Sequence, residues 1–412
     1  MIKYSIFFGL LYFVQGGIQA YTSNFQKPYL DQAGVDLDRI ALLTSLMLLP
    51  FSIKILFGLL SDRLPIWGNH RKSYMILGLF LAALCYLGAA GIEPKGQYWI
   101  FASLIFFAAC GMALFDTSVD GLALDISRKS EQGSIQSAMQ AGRSSGYILL
   151  SLLFGFLASR LGYSIVFIIM TGLVLIPLLA ILNSKYFFPV SKIEVEPNHS
   201  QAQQLKFLGR PSKSLLFFGL YAFLYSVTSF GIDGLMTLFA QKELGFQIHQ
   251  LGTMGSLQGV GAILGALISG FCVFRLGAQK TAYIALVGIS VGGLMMSQSS
   301  GSSDFPEVIF GMTLLWGIFW SFQETIFVTL AMYNCGKTHA ATLFASLMMV
   351  SNLGNAFGEG LATSLVADFG FRQVFQFLAL GMLLILPLLR FYFLASRSVP
   401  YLSDIQKSEV HL

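Results

Sequence analysis

The sequence predicts an all-α polytopic membrane protein, with twelve transmembrane helices in two pseudo-symmetric six-helix bundles. Three observations carry that expectation. The 412-residue chain is 55% hydrophobic and 11% charged, with a mean hydropathy of +0.70, whereas a soluble domain needs far more charge to cover its surface. Its apolar residues gather into runs of about 20, the length that a hydrocarbon layer of about 30 Å selects. The second half of the chain also repeats features of the first.

The apolar runs fall at residues 4–26, 38–60, 73–91, 97–121, 133–158, 163–184, 214–240, 248–274, 280–298, 306–332, 340–366 and 370–395. The first, MIKYSIFFGLLYFVQGGIQAY, lacks a small-residue cleavage site and so reads as a membrane helix rather than a removed leader. One long polar connection, containing SKIEVEPNHSQAQQLKFLGRPSK, separates the sixth run from the seventh. The expected division is an N-terminal bundle over 1–184, a cytoplasmic linker over 185–213, a C-terminal bundle over 214–395 and a cytoplasmic tail over 396–412. With both termini cytoplasmic, about seventeen of the 25 Lys and Arg residues fall in inside loops and about six in outside loops, the bias that orients membrane helices. The expected location is a bacterial inner (plasma) membrane. The net charge of +5 follows from that bias and does not imply nucleic acid. Cys85, Cys110, Cys272 and Cys335 are scattered with no CxxC spacing, which favours buried thiols over disulfides or a metal site.

The internal repeat is local but consistent. FFGLLYF at Phe7–Phe13 is echoed by FFGLYAF at Phe217–Phe223, and LGYSIVF at Leu161–Phe167 by FGFRQVF at Phe369–Phe375. The same shift, roughly 208 residues, places Gly146 on Gly354 and Asp116 on Glu324, an internal symmetry of the kind transporters carry.

The candidate functional groups are charges inside apolar runs. Asp116 and Asp120 stand four residues apart in the fourth run and share one helical face, while Arg143 lies on the fifth. A charge at the centre of a membrane helix costs about 2.5–3.5 kcal/mol on insertion scales, so it faces protein or a water-filled cavity. Two readings follow: proton coupling or substrate contact, or a fixed ion pair between the fourth and fifth helices. The second is weak as a stability device, because desolvation offsets much of the attraction in a buried pair. Glu324 in the tenth run is either part of the same coupling path or a glutamate hydrogen-bonded to a neighbouring helix. Lys54 follows Pro50 near the cytoplasmic end of the second run, where snorkelling or a pair with an acid is favoured over substrate binding. Gln15 and Gln19 on the first run and Gln136 and Gln140 on the fifth are candidates for a substrate cavity, with interhelical hydrogen bonding as the alternative, and Asp233 on the seventh either lines the path or packs against a glycine-loosened neighbour.

Between the second and third runs lies GLLSDRLPIWGNHRKSYMILG, Gly58 to Gly78. It resembles the signature loop of the major facilitator superfamily, G-x-L-x-D-R-x-G-x-R-[RK], through Gly58, Leu60, Asp62, Arg63, Gly68, Arg71 and Lys72, with Pro65-Ile66-Trp67 lengthening its middle. The lengthened form and YFVQGGIQAY at Tyr12–Tyr21 are similar to the folate–biopterin transporter branch. The D-x3-D-G-x-A-x-D run from Asp116 to Asp125 is similar to the muropeptide permease and acetyl-CoA transporter branches. The resemblance implies a conformational latch at the cytoplasmic side. In it, Gly58 permits close helix approach and Asp62 accepts from Arg63, Arg128 or backbone amides, while Arg71 and Lys72 either join the latch or only set orientation.

No HExxH, GxSxG or P-loop pattern occurs, and His70, His199, His249, His339 and His411 fall in expected loops or tails without ligand spacing. The expectation is therefore no enzyme activity, no metal and no cofactor. The function expected is secondary active transport by alternating access, as a monomer, of a small polar or amphiphilic organic solute with proton symport. The solute class implied is pterin- or folate-like, then muropeptide-like or siderophore-like. A proton-driven multidrug exporter and a non-transporting membrane assembly factor are the alternatives.

Overall fold

In hydrocarbon a backbone must satisfy its own polar groups, and a chain this apolar does so as helices. The computed structural model describes residues 2–64, 66–126, 132–183, 212–299, 306–334 and 340–396, and among them every regular element is helical. The helices are α1 (Ile2–Asn24), α2 (Gln26–Gln32), α3 (Leu37–Ser52), α4 (Lys54–Arg63), α5 (Lys72–Ala89), α6 (Tyr98–Ile126) and α7 (Gln132–Leu161). They continue as α8 (Ser164–Asn183), α9 (Lys213–Lys242), α10 (Ile248–Gln298), α11 (Pro306–Asn334), α12 (Ala340–Leu383) and α13 (Leu386–Ser396).

Nine helices or helix pairs among these residues are long and apolar enough to cross a membrane. Two of them, Ile248–Gln298 and Leu343–Ser396, are about twice the length one crossing needs. Each turns back at a glycine in the left-handed region, Gly277 (φ 78°) and Gly370 (φ 76°), where a side chain would be strained. Dividing both and adding α1 gives the twelve crossings expected from the sequence. Rows of exposed Leu, Ile and Phe, such as Ile168, Leu175, Leu179 and Leu182 on α8, form the lipid-facing surface.

The second crossing is built from two helices. Pro50 supplies no amide to the ladder of α3, and the helix breaks at Ile53 (φ −101°, ψ 18°) before α4 begins at Lys54. That break makes Lys54 the first residue of a new helix. At the far end of α4 the chain turns through Trp67 (φ 52°) and Gly68 (φ 72°), closed by Asn69 N–H donating to the Ile66 carbonyl at 3.0 Å.

The chain groups into two compact units. One comprises Met1–Ser191, Gly234–Gly259 and Ser302–Pro306; the other comprises Lys192–Asp233, Val260–Gly301 and Glu307–Leu412. In the first, α1 and α7 are in backbone contact. A methyl group at Gly142 would fall on the Gly9 carbonyl, one at Gly146 on the Phe13 carbonyl, and one at Gly16 on the Arg143 carbonyl. The 234–259 segment packs on the same pair: Ser256 Oγ donates to the Ile148 carbonyl at 2.7 Å, and Gly252 meets Gly155. The buried Lys27 ammonium donates to the Gly234 carbonyl at 2.8 Å, and Lys242 pairs with Asp31 at 2.7 Å.

The second unit repeats the seam. A Cβ on Gly354 would lie 2.6 Å from the Phe223 carbonyl. Gly146 over Phe13 and Gly354 over Phe223 are therefore the same contact, in the register that the two sequence repeats set.

The α1–α7 seam predicts a sharp contrast between glycines. Gly142→Val should sharply lower the thermal stability of the detergent-purified protein, since overpacking alone costs about 1–3 kcal/mol and here the obstacle is backbone. Gly172→Val, at an exposed site on α8 with nothing within 4 Å, should be near neutral.

Candidate functional site

The closeness of the α1–α7 seam puts polar side chains of both helices against the acidic face of α6. Gln15, next to the Gly16–Arg143 backbone contact, donates its amide N–H to Asp116, and its amide oxygen accepts from Arg143 Nη2 at 2.7 Å and Nε at 3.2 Å. Arg143 Nη2 stands 3.8 Å from Asp116 Oδ1, and its guanidinium lies 4.8 Å from the centre of the Tyr12 ring. The Tyr12 hydroxyl donates to Asp120. The break in the second crossing delivers Lys54, whose ammonium sits 3.5 Å from Asp116 and 3.6 Å from Asp120. Three helices thus bring two acids and two bases into one cluster with no net formal charge, and α1 adds Tyr12 and Gln15.

The cluster has a closed side and an open side. The Asp116 side chain is 5% exposed and is met by Lys54, Arg143 and Gln15. Asp120 and Lys54 are 40% and 39% exposed. Arg143 is held by a cation–π contact, an amide oxygen and a carboxylate at once, so its position is over-determined. Lys54 is instead shared between its two acids, at 3.5 and 3.6 Å.

The other unit has a sparser counterpart. The Tyr225 hydroxyl on α9 donates to Glu324 on α11, as Gln15 on α1 donates to Asp116 on α6. The repeat that aligns Phe7–Phe13 with Phe217–Phe223 carries Gln15 onto Tyr225, so the two hydrogen bonds are equivalent. The equivalents of Arg143 and Asp120 are Ser351, which bonds Ser226 at 2.7 Å, and the apolar Val328. Beside Glu324, Gln323 donates to the Tyr221 hydroxyl at 2.6 Å. Asp233 accepts from the Trp316 indole N–H at 2.7 Å.

Of the residues singled out from sequence, Asp116, Asp120, Arg143 and Gln15 meet in one cluster, and Glu324 and Asp233 lie in the other unit. Gln19, Gln136 and Gln140 are exposed and make no contact in the cluster. The loop after α4 is tied within its own unit. Arg71 donates to Asp125 at 3.0 Å and to Ser61 Oγ at 2.6 Å, and Tyr74 donates to the Leu64 carbonyl at 2.7 Å. A Cβ on Gly58 would lie 3.4 Å from Thr117 on α6, and Arg63 is exposed at the end of α4. The Asp62 side chain and Arg128 lie outside the described residues. Sequence reasoning missed Tyr12 and gave Lys54 no fixed partner. The signal for Tyr12 was its spacing of three from Gln15, which puts both on one face of α1.

Paired helical repeats enclosing a charged cluster are the setting in which comparison with known proteins identifies the class. The chain belongs to the Major Facilitator Superfamily, whose family model matches residues 8–359. It is an integral membrane transporter of that superfamily. The folate-biopterin transporter of Synechocystis sp. is 25% identical over 391 residues, covering 91% of this chain and 77% of that one. The anhydromuropeptide permease of Escherichia coli (strain K12) is 26% identical over 384 residues, covering 89% and 75%. The crystal structure of the nucleoside transporter NupG shares the fold, with a TM-score of 0.75 at 14% identity over 95% of this chain and 98% of that one.

Cluster neutrality makes a prediction independent of transport. Arg143→Met leaves the buried Asp116 with one cation instead of two and should lower the thermal stability of the purified protein. Asp116→Asn combined with Arg143→Met should recover a large part of that loss. Thermal unfolding in detergent reads both, and a double variant no more stable than Arg143→Met would show that the two groups do not interact.

Proposed function

We propose that this transporter is a proton-coupled symporter for a small polar or amphiphilic organic solute with an anionic part, working as a monomer by alternating access. The placement proposed is a bacterial inner membrane with both termini cytoplasmic. The observation that carries the reading is the neutral four-charge cluster of Asp116, Asp120, Lys54 and Arg143. Charges at this depth are costly, and a fixed pair would need only one acid and one base.

Asp116 is the permanent counter-charge for Arg143, and Asp120, on the open side, is the carboxylate that exchanges a proton. Glu324, hydrogen-bonded to Tyr225, is the matching acid of the other repeat. Gln15, Gln19, Gln136, Gln140 and Asp233 supply hydrogen bonds to the solute along its path. Gly58, Asp62, Arg63, Arg71 and Arg128 form the cytoplasmic latch. The solute class favoured is pterin- or folate-like, in line with the name of the Synechocystis relative, followed by muropeptide-like, in line with the permease, and siderophore-like.

Uptake of labelled folate, biopterin and anhydromuropeptide into proteoliposomes under an inward proton gradient tests the reading. Asp116→Asn and Asp120→Asn should each lower gradient-driven uptake by at least about tenfold, the loss of about 1.4 kcal/mol. Unchanged uptake in both variants would reduce the cluster to a structural ion pair.

A further inference from the structure

The two repeats share backbone contacts but not charge, and the difference isolates the groups that folding does not require. Glu324 replaces Asp116, so an acid at that position belongs to both halves. Asp120 and Arg143 correspond to Val328 and Ser351. The repeat shift carries Lys54 into Ala262–Leu264, a wholly apolar stretch. Lys54, Asp120 and Arg143 are therefore additions to a bundle that is complete without them.

The two cations differ in what holds them. Arg143 is fixed by Gln15, Tyr12 and Asp116. Lys54 is shared between two carboxylates at 3.5 and 3.6 Å, is 39% exposed, and begins a helix immediately after the break at Ile53. The groups facing Asp120 are Tyr12 from α1, Lys54 from α4, Arg143 from α7 and Asp116 from its own helix. Among them Lys54 is the cation in ion-pair range of Asp120.

We propose that Lys54 is the anion-binding group of the site, released from Asp120 when that carboxylate takes up a proton and then taken by a carboxylate of the solute. The inference rests on the symport reading and deepens it. Charge is conserved through the exchange. One proton neutralises Asp120, one solute carboxylate takes its place beside Lys54, and the cluster stays neutral. Proton and solute then bind together because either alone leaves a charge unpaired, which is costly away from water. The solute must therefore be an acid, and neutral members of the same chemical class are not carried.

The test measures uptake and binding of folate and anhydromuropeptide, which carry carboxylates, and of biopterin, which carries none. The wild-type protein should take up a carboxylate-bearing probe, with affinity rising as pH falls. Lys54→Gln should weaken that probe by about tenfold or more and flatten its pH dependence, and Lys54→Arg should restore both. Asp120→Asn should bind the probe with no pH dependence. Lys54→Gln combined with Asp120→Asn keeps the cluster neutral, so it should fold as the wild type does by size exclusion and thermal shift and still fail to bind the probe. Wild-type affinity and pH profile in Lys54→Gln would overturn the role of Lys54 alone. Wild-type uptake of biopterin, with or without the acids, would overturn the requirement for an acid, and uptake of none of the three would overturn the symport reading beneath it.

Discussion

A carboxylate out of reach of water must be met by its counter-charge, and in this protein that requirement falls on Asp116. Its side chain is almost wholly covered, and Lys54, Arg143 and Gln15 each come from a different helix to meet it. The surrounding architecture serves that convergence. Glycines at Gly9, Gly16, Gly142 and Gly146 bring α1 against α7 backbone to backbone, so that Gln15 spans the gap between Arg143 and α6. The broken second crossing places a lysine at the start of a helix instead of in an uninterrupted apolar run.

Comparing the two halves separates what the fold needs from what has been added to it. Both use a polar group on the first helix of the repeat to donate to an acid on the fourth, and both seat a glycine of the fifth on a carbonyl of the first. In one half the donor is an amide that also accepts from an arginine. In the other it is a tyrosine hydroxyl, and the arginine position is a serine bonded to another serine. A common scaffold thus supports a charge-rich site in one half and a hydrogen-bonded one in the other.

The fold was legible in the sequence because bilayer thickness dictates run length, and twelve runs of about that length read directly as twelve crossings. The pairing of Asp116 with Arg143 was legible for a similar reason, since charges in such runs have few places to go. The remainder of the cluster was not. Lys54 gave two readings, snorkelling or pairing, because periodicity cannot say where a helix broken near a proline will point its next residue. Tyr12 looked like one aromatic among 38 Phe and 16 Tyr residues, and only the register between α1 and α6 sets it on Asp120. Gln136 and Gln140 share a helix face with Arg143, yet a shared face did not bring them into its contacts.

The account turns on Asp120 being the carboxyl group that exchanges a proton while Asp116 remains an ion among its partners. Infrared difference spectroscopy of the reconstituted protein across a pH titration reads this directly, through conversion of a carboxylate band into a carboxylic acid band. The account predicts such a conversion in the wild type, its loss in Asp120→Asn and its retention in Glu324→Gln. A titrating band that survives Asp120→Asn unchanged would contradict it.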